Sequence, residues 1–184
     1  MSALDKLLKS DYVEPFGTGS LTKIRDYQKK YDVRFSREYQ NFLVRCNGML
    51  TSFDDDVRDE LDLHMALTDI NTFYGIGNGR EYSDLALLTP RYGESTRRLM
   101  AFAPAIAIGG DSCELVEISQ GRRINQIIYT DGELYQGFMR RTDWSRSPDD
   151  LIEDYIESGF FMPVADSFAE LLAMYLVLDD HSEP

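Results

Sequence analysis

The stretch from Leu99 to Asp131, LMAFAPAIAIGGDSCELVEISQGRRINQIIYTD, constrains the fold more than any other part of the chain. Its spacing predicts three strands in succession. From Ala101 to Ile108, alanines at 101, 103, 105 and 107 alternate with Phe102, Pro104, Ile106 and Ile108. A period of two sends large side chains to one sheet face and small ones to the other. A row of alanines lets a helix or second layer approach closely, so the strand is expected to be central and covered on both sides. Pro104 donates no ladder hydrogen bond and places an edge or a bulge in the first half. Gly109-Gly110-Asp111 turns the chain, residues 113–118 run back, residues 119–122 turn again, and residues 124–129 return.

Helices are expected on both sides of this meander in sequence. Ser2 can cap a short helix carrying Leu4, Leu7 and Leu8, and Ser20 a second with Leu21, Ile24, Tyr27 and Tyr31 on one face. Glu14 to Gly19 reads as loop between them. Ser36 opens a third helix in which Tyr39, Phe42, Leu43 and Cys46 recur at helical spacing, stopped by Asn47-Gly48. Leu61, Leu63, Met65 and Leu67 alternate with mostly polar residues, which predicts a half-buried strand with His64 on its other face. Residues 70–74 extend it, 81–88 are helical in tendency, and 134–139 offer one more strand. Ser147-Pro148 starts a helix with Leu151, Ile152, Tyr155 and Ile156 inside and Gly159 at its end. Ser167 or Asp166 caps the closing helix, whose buried face is Phe168, Leu171, Leu172, Tyr175 and Leu176. This order predicts an α+β fold: an antiparallel-rich mixed sheet of about five to six strands with helices packed against it. At 184 residues, with no linker, repeat or low-complexity run, residues 1–184 suit a single domain.

Charge narrows the partners. The formal net charge is −13, unevenly spread: residues 1–47 carry nine Lys/Arg against six Asp/Glu, residues 48–184 ten against 26. Such acidity disfavours nucleic acid and anionic membranes and favours a basic partner, although acidity also serves solubility alone. The N-terminus carries charges within its apolar part and reads as no signal peptide, and no apolar run is long enough to span a bilayer, so a cytoplasmic location is expected. Cys46 and Cys113 lie far apart and read as free buried thiols.

A search for chemistry finds no catalytic centre. The two histidines, His64 and His181, form no Cys/His cluster at zinc-ligand spacing. Gly110-Asp111-Ser112-Cys113 invites comparison with the Gly-Asp-Ser-Gly of trypsin-like proteases, but a tight hairpin turn explains it better. Gly75-Ile76-Gly77-Asn78-Gly79 suggests a phosphate-cradling loop, yet it lacks the Gly-Lys-Ser/Thr of a P-loop and reads as a turn. No cofactor and no metal are expected. The acids at 54–56, 59, 60 and 62 miss the calcium-loop pattern.

The order of motifs resembles a known family. Phe35-Ser36-Arg37-Glu38-Tyr39-Gln40-Asn41-Phe42-Leu43 with Cys46-Asn47-Gly48 is similar to the helix signature of the SUKH superfamily, the Smi/Knr-like proteins. Ile70 to Gly75 resembles that family's segment ending in an aromatic pair and glycine. Ala105 to Asp111 resembles its apolar strand running into a Gly/Asp turn, Ile127 to Asp131 its later strand, and Val164 to Leu172 its closing helix. The residues before Tyr39 are Phe35-Ser36 where the family usually has Leu-Pro, and the aromatic pair of the later strand is reduced to Tyr129. The resemblance implies an α+β fold without shared catalytic residues. For bacterial members it implies an immunity protein that binds and neutralises a cognate polymorphic toxin, often a nuclease; the chain itself is expected as a monomer or weak homodimer. Eukaryotic members act as regulatory scaffolds, the alternative role here, and an acidic hydrolase ranks third.

The expected contact surface is Asp54, Asp55, Asp56, Asp59, Glu60 and Asp62, six acids among nine residues. They are expected in an exposed loop entering the sheet edge. Like charges packed this densely repel, so folding gains little from them, whereas a cationic partner is attracted by them. The acids Asp149, Asp150, Glu153 and Asp154 form the rival surface, and a solvated loop without a role is the plain alternative.

Overall fold

The structure is a computed structural model, and it describes residues 2–132, 137 and 139–182, without the side chain of Asp111. Its centre is a seven-stranded antiparallel sheet in which every strand pairs with its neighbours in sequence. The strands are β1 (Val13–Pro15), β2 (Met49–Thr51), β3 (Ile70–Phe73), β4 (Ala105–Gly109), β5 (Glu114–Glu117), β6 (Ile127–Thr130) and β7 (Phe161–Ala165). The predicted α+β class holds, with more strands than expected.

β4 is the fourth of the seven, and Ala105, Ile106 and Ala107 are buried on both faces. It is shorter at its start than the alternation suggests. Helix α7 (Glu94–Met100) runs up to it, Ala101 caps that helix, and the Ala103 N–H donates to the Leu99 carbonyl. Pro104 is where the helical turn gives way, and the register with β5 slips between Ala105 and Ala107. The expected bulge is therefore present at the head of the strand.

Three strands were not foreseen. β1 and β2 are three residues each, too short to show a period. β7 contains Pro163, which reads against a strand but is tolerated at the sheet edge where β7 lies. The strand expected over 61–67 is absent. Leu61 caps a helix, Asp62 turns left-handed with φ 53°, and Ala66–Asp69 form the short helix α5. Leu63, Ala66, Leu67 and Ile70 satisfy a helical period as well as the leucines satisfy a strand period, and packing selects the former. Of the predicted 81–88 helix only α6 (Leu85–Leu88) is helical, followed by a 3-10 turn over Thr89–Arg91. The strand expected over 134–139 falls largely outside the described residues.

One sheet face is covered by α3 (Arg37–Cys46), α5 and the closing helix α9 (Phe168–His181), with α1 (Ala3–Leu7) against α9 and α2 (Leu21–Tyr31) against α3. Ser2, Ser20, Ser36 and Ser167 cap their helices as expected, each accepting a backbone N–H of the first turn. Asn47 stops α3 at φ 48°. Helix and sheet meet in an aromatic cluster. The Phe168 ring lies edge-on to Tyr39 at 5.1 Å and to Phe42 at 5.2 Å, and Tyr175 edge-on to Phe73 at 5.5 Å. The buried hydroxyls are satisfied: Tyr39 donates to the Tyr74 carbonyl at 3.0 Å and Tyr175 to the Ile70 carbonyl at 3.3 Å. Met49, Phe73, Ala107, Leu115 and Tyr129 form the cross-strand row that faces these helices. Ala107 is the small member that lets them approach. Cys46 and Cys113 are buried free thiols, as expected.

Candidate functional site

The six predicted contact acids lie together on and around a short helix, not on a loop: four are within it, Asp54 precedes it and Asp62 follows it. Asp54 caps α4 (Asp55–Glu60) by accepting the Asp56 N–H at 2.9 Å, which turns the acidic run into a helical turn. Acids in a first turn also suit the positive end of the helix dipole. All six are exposed, while Val57 packs on the core. The sequence reading gave no weight to Arg58. Its side chain is only 15% exposed and is held by Asp59 at 2.6 Å, Asp55 at 3.1 Å and the Thr68 hydroxyl at 2.7 Å. Arg58 thus ties α4 to α5 and offsets part of the local charge. Asp56, Glu60 and Asp62 keep no ion-pair partner among the described residues, and their charge projects outward.

The rival acidic surface is different in kind. On α8 (Pro148–Glu157), Glu153 takes a two-pronged contact from Arg123, 2.9 Å on each side. Asp149 accepts the Arg122 N–H at 2.8 Å, Asp154 pairs with Arg146, and Asp150 is bound to the capping Ser147 hydroxyl at 2.7 Å. The arginine beside each of them holds Glu153 and Asp154 below the usual carboxylate range. Asp149 and Glu153 fasten α8 to the β5–β6 turn, Asp154 and Asp150 bind Arg146 and Ser147 just before the helix, and little charge is left for a partner.

The glycine loop does cradle an anion, and the anion is its own. Asp84, 1% exposed, accepts from the N–H groups of Gly77 at 2.7 Å, Gly79 at 2.8 Å and Ala86 at 2.9 Å. Gly77 and Gly79 adopt φ 66° and 78°, which lets successive N–H groups converge on one carboxylate. Asn47 closes the other side by accepting the Ile76 N–H at 2.9 Å. A phosphate would find this nest filled. Gly110–Ser112 form a 3-10 turn between β4 and β5, the hairpin expected there. His64, half-buried, accepts the Ala66 N–H on Nδ1 at 3.1 Å and starts α5, and burial holds its pKa below the ordinary histidine value. Among the described residues no group of three His, Cys, Asp or Glu side chains could hold a metal ion, and no helix is long and apolar enough to cross a membrane.

A second feature lies on the opposite sheet face. Leu50, Thr72, Ile108 and Glu114 form a row across β2 to β5, and they floor a cavity of about 660 Å³. Tyr74, Tyr82, Leu88 and Tyr92 rise beside it from the Asp84-centred loop and the α6 region. At its rim the Arg80 guanidinium lies 4.0 Å over the Phe16 ring and 3.0 Å from Glu14. Glu114 opens to the cavity, which leaves it partly exposed, and protein crowds it otherwise; burial pushes its carboxyl up to about 7. Burial first and the Glu114 charge second raise the Tyr74 hydroxyl above its ordinary pKa. Sequence reasoning missed this site. The available signal was Glu114 and Glu117 bracketing Leu115-Val116 inside the strand expected next to the covered central one.

The chain matches no protein-family model, and no curated protein matches it.

Proposed function

We propose that this chain is a non-catalytic binding protein of the SUKH type, an immunity protein that neutralises a basic toxin in the cytoplasm of the producing cell. The observation that carries the reading is the contrast between two acidic surfaces. On α8, Asp149, Glu153 and Asp154 are paired with internal arginines, whereas α4 with the flanking Asp54 and Asp62 presents six exposed acids around a single arginine. Charge that serves no internal contact and is concentrated on one short helix attracts a cationic surface and accelerates encounter. A nuclease groove that holds phosphates has that cationic character. The order of elements supports the family likeness: Tyr39, Phe42 and Leu43 are buried on α3, Asn47-Gly48 ends it, and Phe168, Leu171 and Leu172 are buried on the closing helix.

The test is to read the genes flanking this one and to co-express the chain with a toxin-like product encoded there; a flanking toxin gene is expected. The parent chain should restore growth and co-elute with the toxin as a stable complex. Growth arrest despite abundant folded protein, with no complex formed, would overturn the reading in favour of a scaffold role.

A further inference from the structure

We infer that the open-face cavity over Leu50, Thr72, Ile108 and Glu114 receives an arginine side chain of the partner protein, its guanidinium against the Glu114 carboxylate. The inference rests on the reading of the chain as a binder of a basic protein, and it names the residue type that one site takes. Three observations point to it.

The Glu114 carboxylate has no hydrogen bond or ion pair among the described residues, although tyrosine and apolar side chains surround it. A carboxylate crowded by protein on its other sides and lacking a protein donor is incompletely hydrated, and a guanidinium supplies several N–H donors with the opposite charge. The second observation is the acid balance. Glu81 lines the same cavity, 3.6 Å from Arg91 outside it, and the adjoining hollow over β1 to β3 adds Asp11 and Glu14, the latter paired with Arg80. The one cation lining either hollow, Arg80, is already engaged with Glu14. Anionic ligands are repelled there, and a neutral apolar ligand would leave Glu114 buried and unpaired.

The third observation is a precedent within the chain. Arg80 over Phe16 and beside Glu14 shows how this surface holds a guanidinium, by one ring face and one carboxylate. Tyr74, Tyr92 and Glu114 offer the same two elements deeper in the cavity. A flat, weakly hydrated guanidinium suits aromatic walls better than the compact, strongly hydrated ammonium of lysine. The ionisable groups lining the cavity are Tyr74, Arg80, Glu81, Tyr82, Tyr92 and Glu114. A bound cation would keep Glu114 ionised at neutral pH.

The test is an NMR titration of the full chain at low salt with an acetylated, amidated Gly-Arg-Gly peptide. Matched peptides carry citrulline or lysine in place of arginine. The arginine peptide should give saturable shifts of the Thr72, Ile108 and Glu114 amides with a roughly millimolar Kd, and citrulline should bind at least about tenfold more weakly. Glu114→Gln should abolish the shifts. Thr72→Arg, which places a guanidinium in the cavity from within the chain, should block the peptide as well, and it decides the matter if Glu114→Gln does not fold. No saturable shift, equal binding of citrulline or lysine, or shifts confined to α4 would each overturn the inference. None of those results touches the co-expression test, so the two readings fail separately.

Discussion

Glu117 is a buried acid whose replacement should change stability in a pH-dependent way. It lies on β5, on the face opposite Glu114, and is fully buried. Oε2 accepts the Ser36 N–H at 2.8 Å at the start of α3, while Oε1 has no hydrogen-bond partner among the described residues. Burial pushes its carboxyl from 4.5 up to about 7, against the opposing effect of the Ser36 hydrogen bonds. Below pH 4.5 both the folded and the unfolded chain hold this proton, and the neutral acid contributes its full stability. As pH rises from 4.5 through about 7 the unfolded chain releases the proton first, so stability is lost across that window and is level above it. At about 1.4 kcal/mol for each tenfold change in proton affinity, the loss amounts to roughly 3 kcal/mol.

Glu117→Gln keeps an acceptor for the Ser36 N–H and removes the ionisation. It places an amide NH2 where Oε1 has no hydrogen-bond partner among the described residues, which costs about 1–2 kcal/mol at every pH. The variant should therefore be the more stable protein at pH 8 by roughly 1–2 kcal/mol and the less stable one at pH 5 by only about 0–1 kcal/mol, because the parent has already lost part of its stability by pH 5. Urea unfolding of parent and variant, taken in parallel from pH 5 to 8, measures this difference and cancels other groups that titrate in the range, Glu114 included. A difference that stays constant across the range would refute the reasoning, because a purely steric effect has no pH dependence.

Three further perturbations have defined outcomes. Phe168→Ala empties the centre of the aromatic cluster formed with Tyr39, Phe42 and Phe73 and should cost about 3–5 kcal/mol in urea unfolding; an unchanged midpoint would show that the closing helix does not dock through this ring. Asp84→Ala leaves the Gly77, Gly79 and Ala86 N–H groups without their acceptor and should destabilise by roughly 2–4 kcal/mol, with hydrogen exchange rising first in residues 75–84. Replacing Asp54, Asp55 and Asp56 together by lysine removes the α4 cap and should cost only about 1–2 kcal/mol of stability. It should slow association with the toxin and flatten its salt dependence, as read by stopped-flow mixing; equal association rates at every salt concentration would remove α4 from the interface.

Local rules made much of this molecule legible before any contact was known. Serine caps, the Asn47-Gly48 stop, the Pro148 start and the helical spacing of Tyr39, Phe42, Leu43 and Cys46 act within a few residues of each other. The alternation around Ile106 likewise placed the central strand, because β4 is covered on both faces and its composition had to record that. Tertiary structure decided the rest. Over residues 61–67 two periods fitted equally, and only docking of Leu63, Ala66, Leu67 and Ile70 selected a helical turn over a strand. β1, β2 and β7 are too short or too proline-bearing to stand alone and exist through their neighbours' hydrogen bonds. The acids show the division most sharply. Each carries the same charge in the sequence, but Arg58, Arg123 and Arg146 reach particular carboxylates, Asp84 is enclosed by backbone N–H groups, and Glu114 and Glu117 are turned to opposite faces of one strand. A carboxylate's role depends on which donors lie within about 3 Å of it, and folding brings those donors from residues distant in the chain.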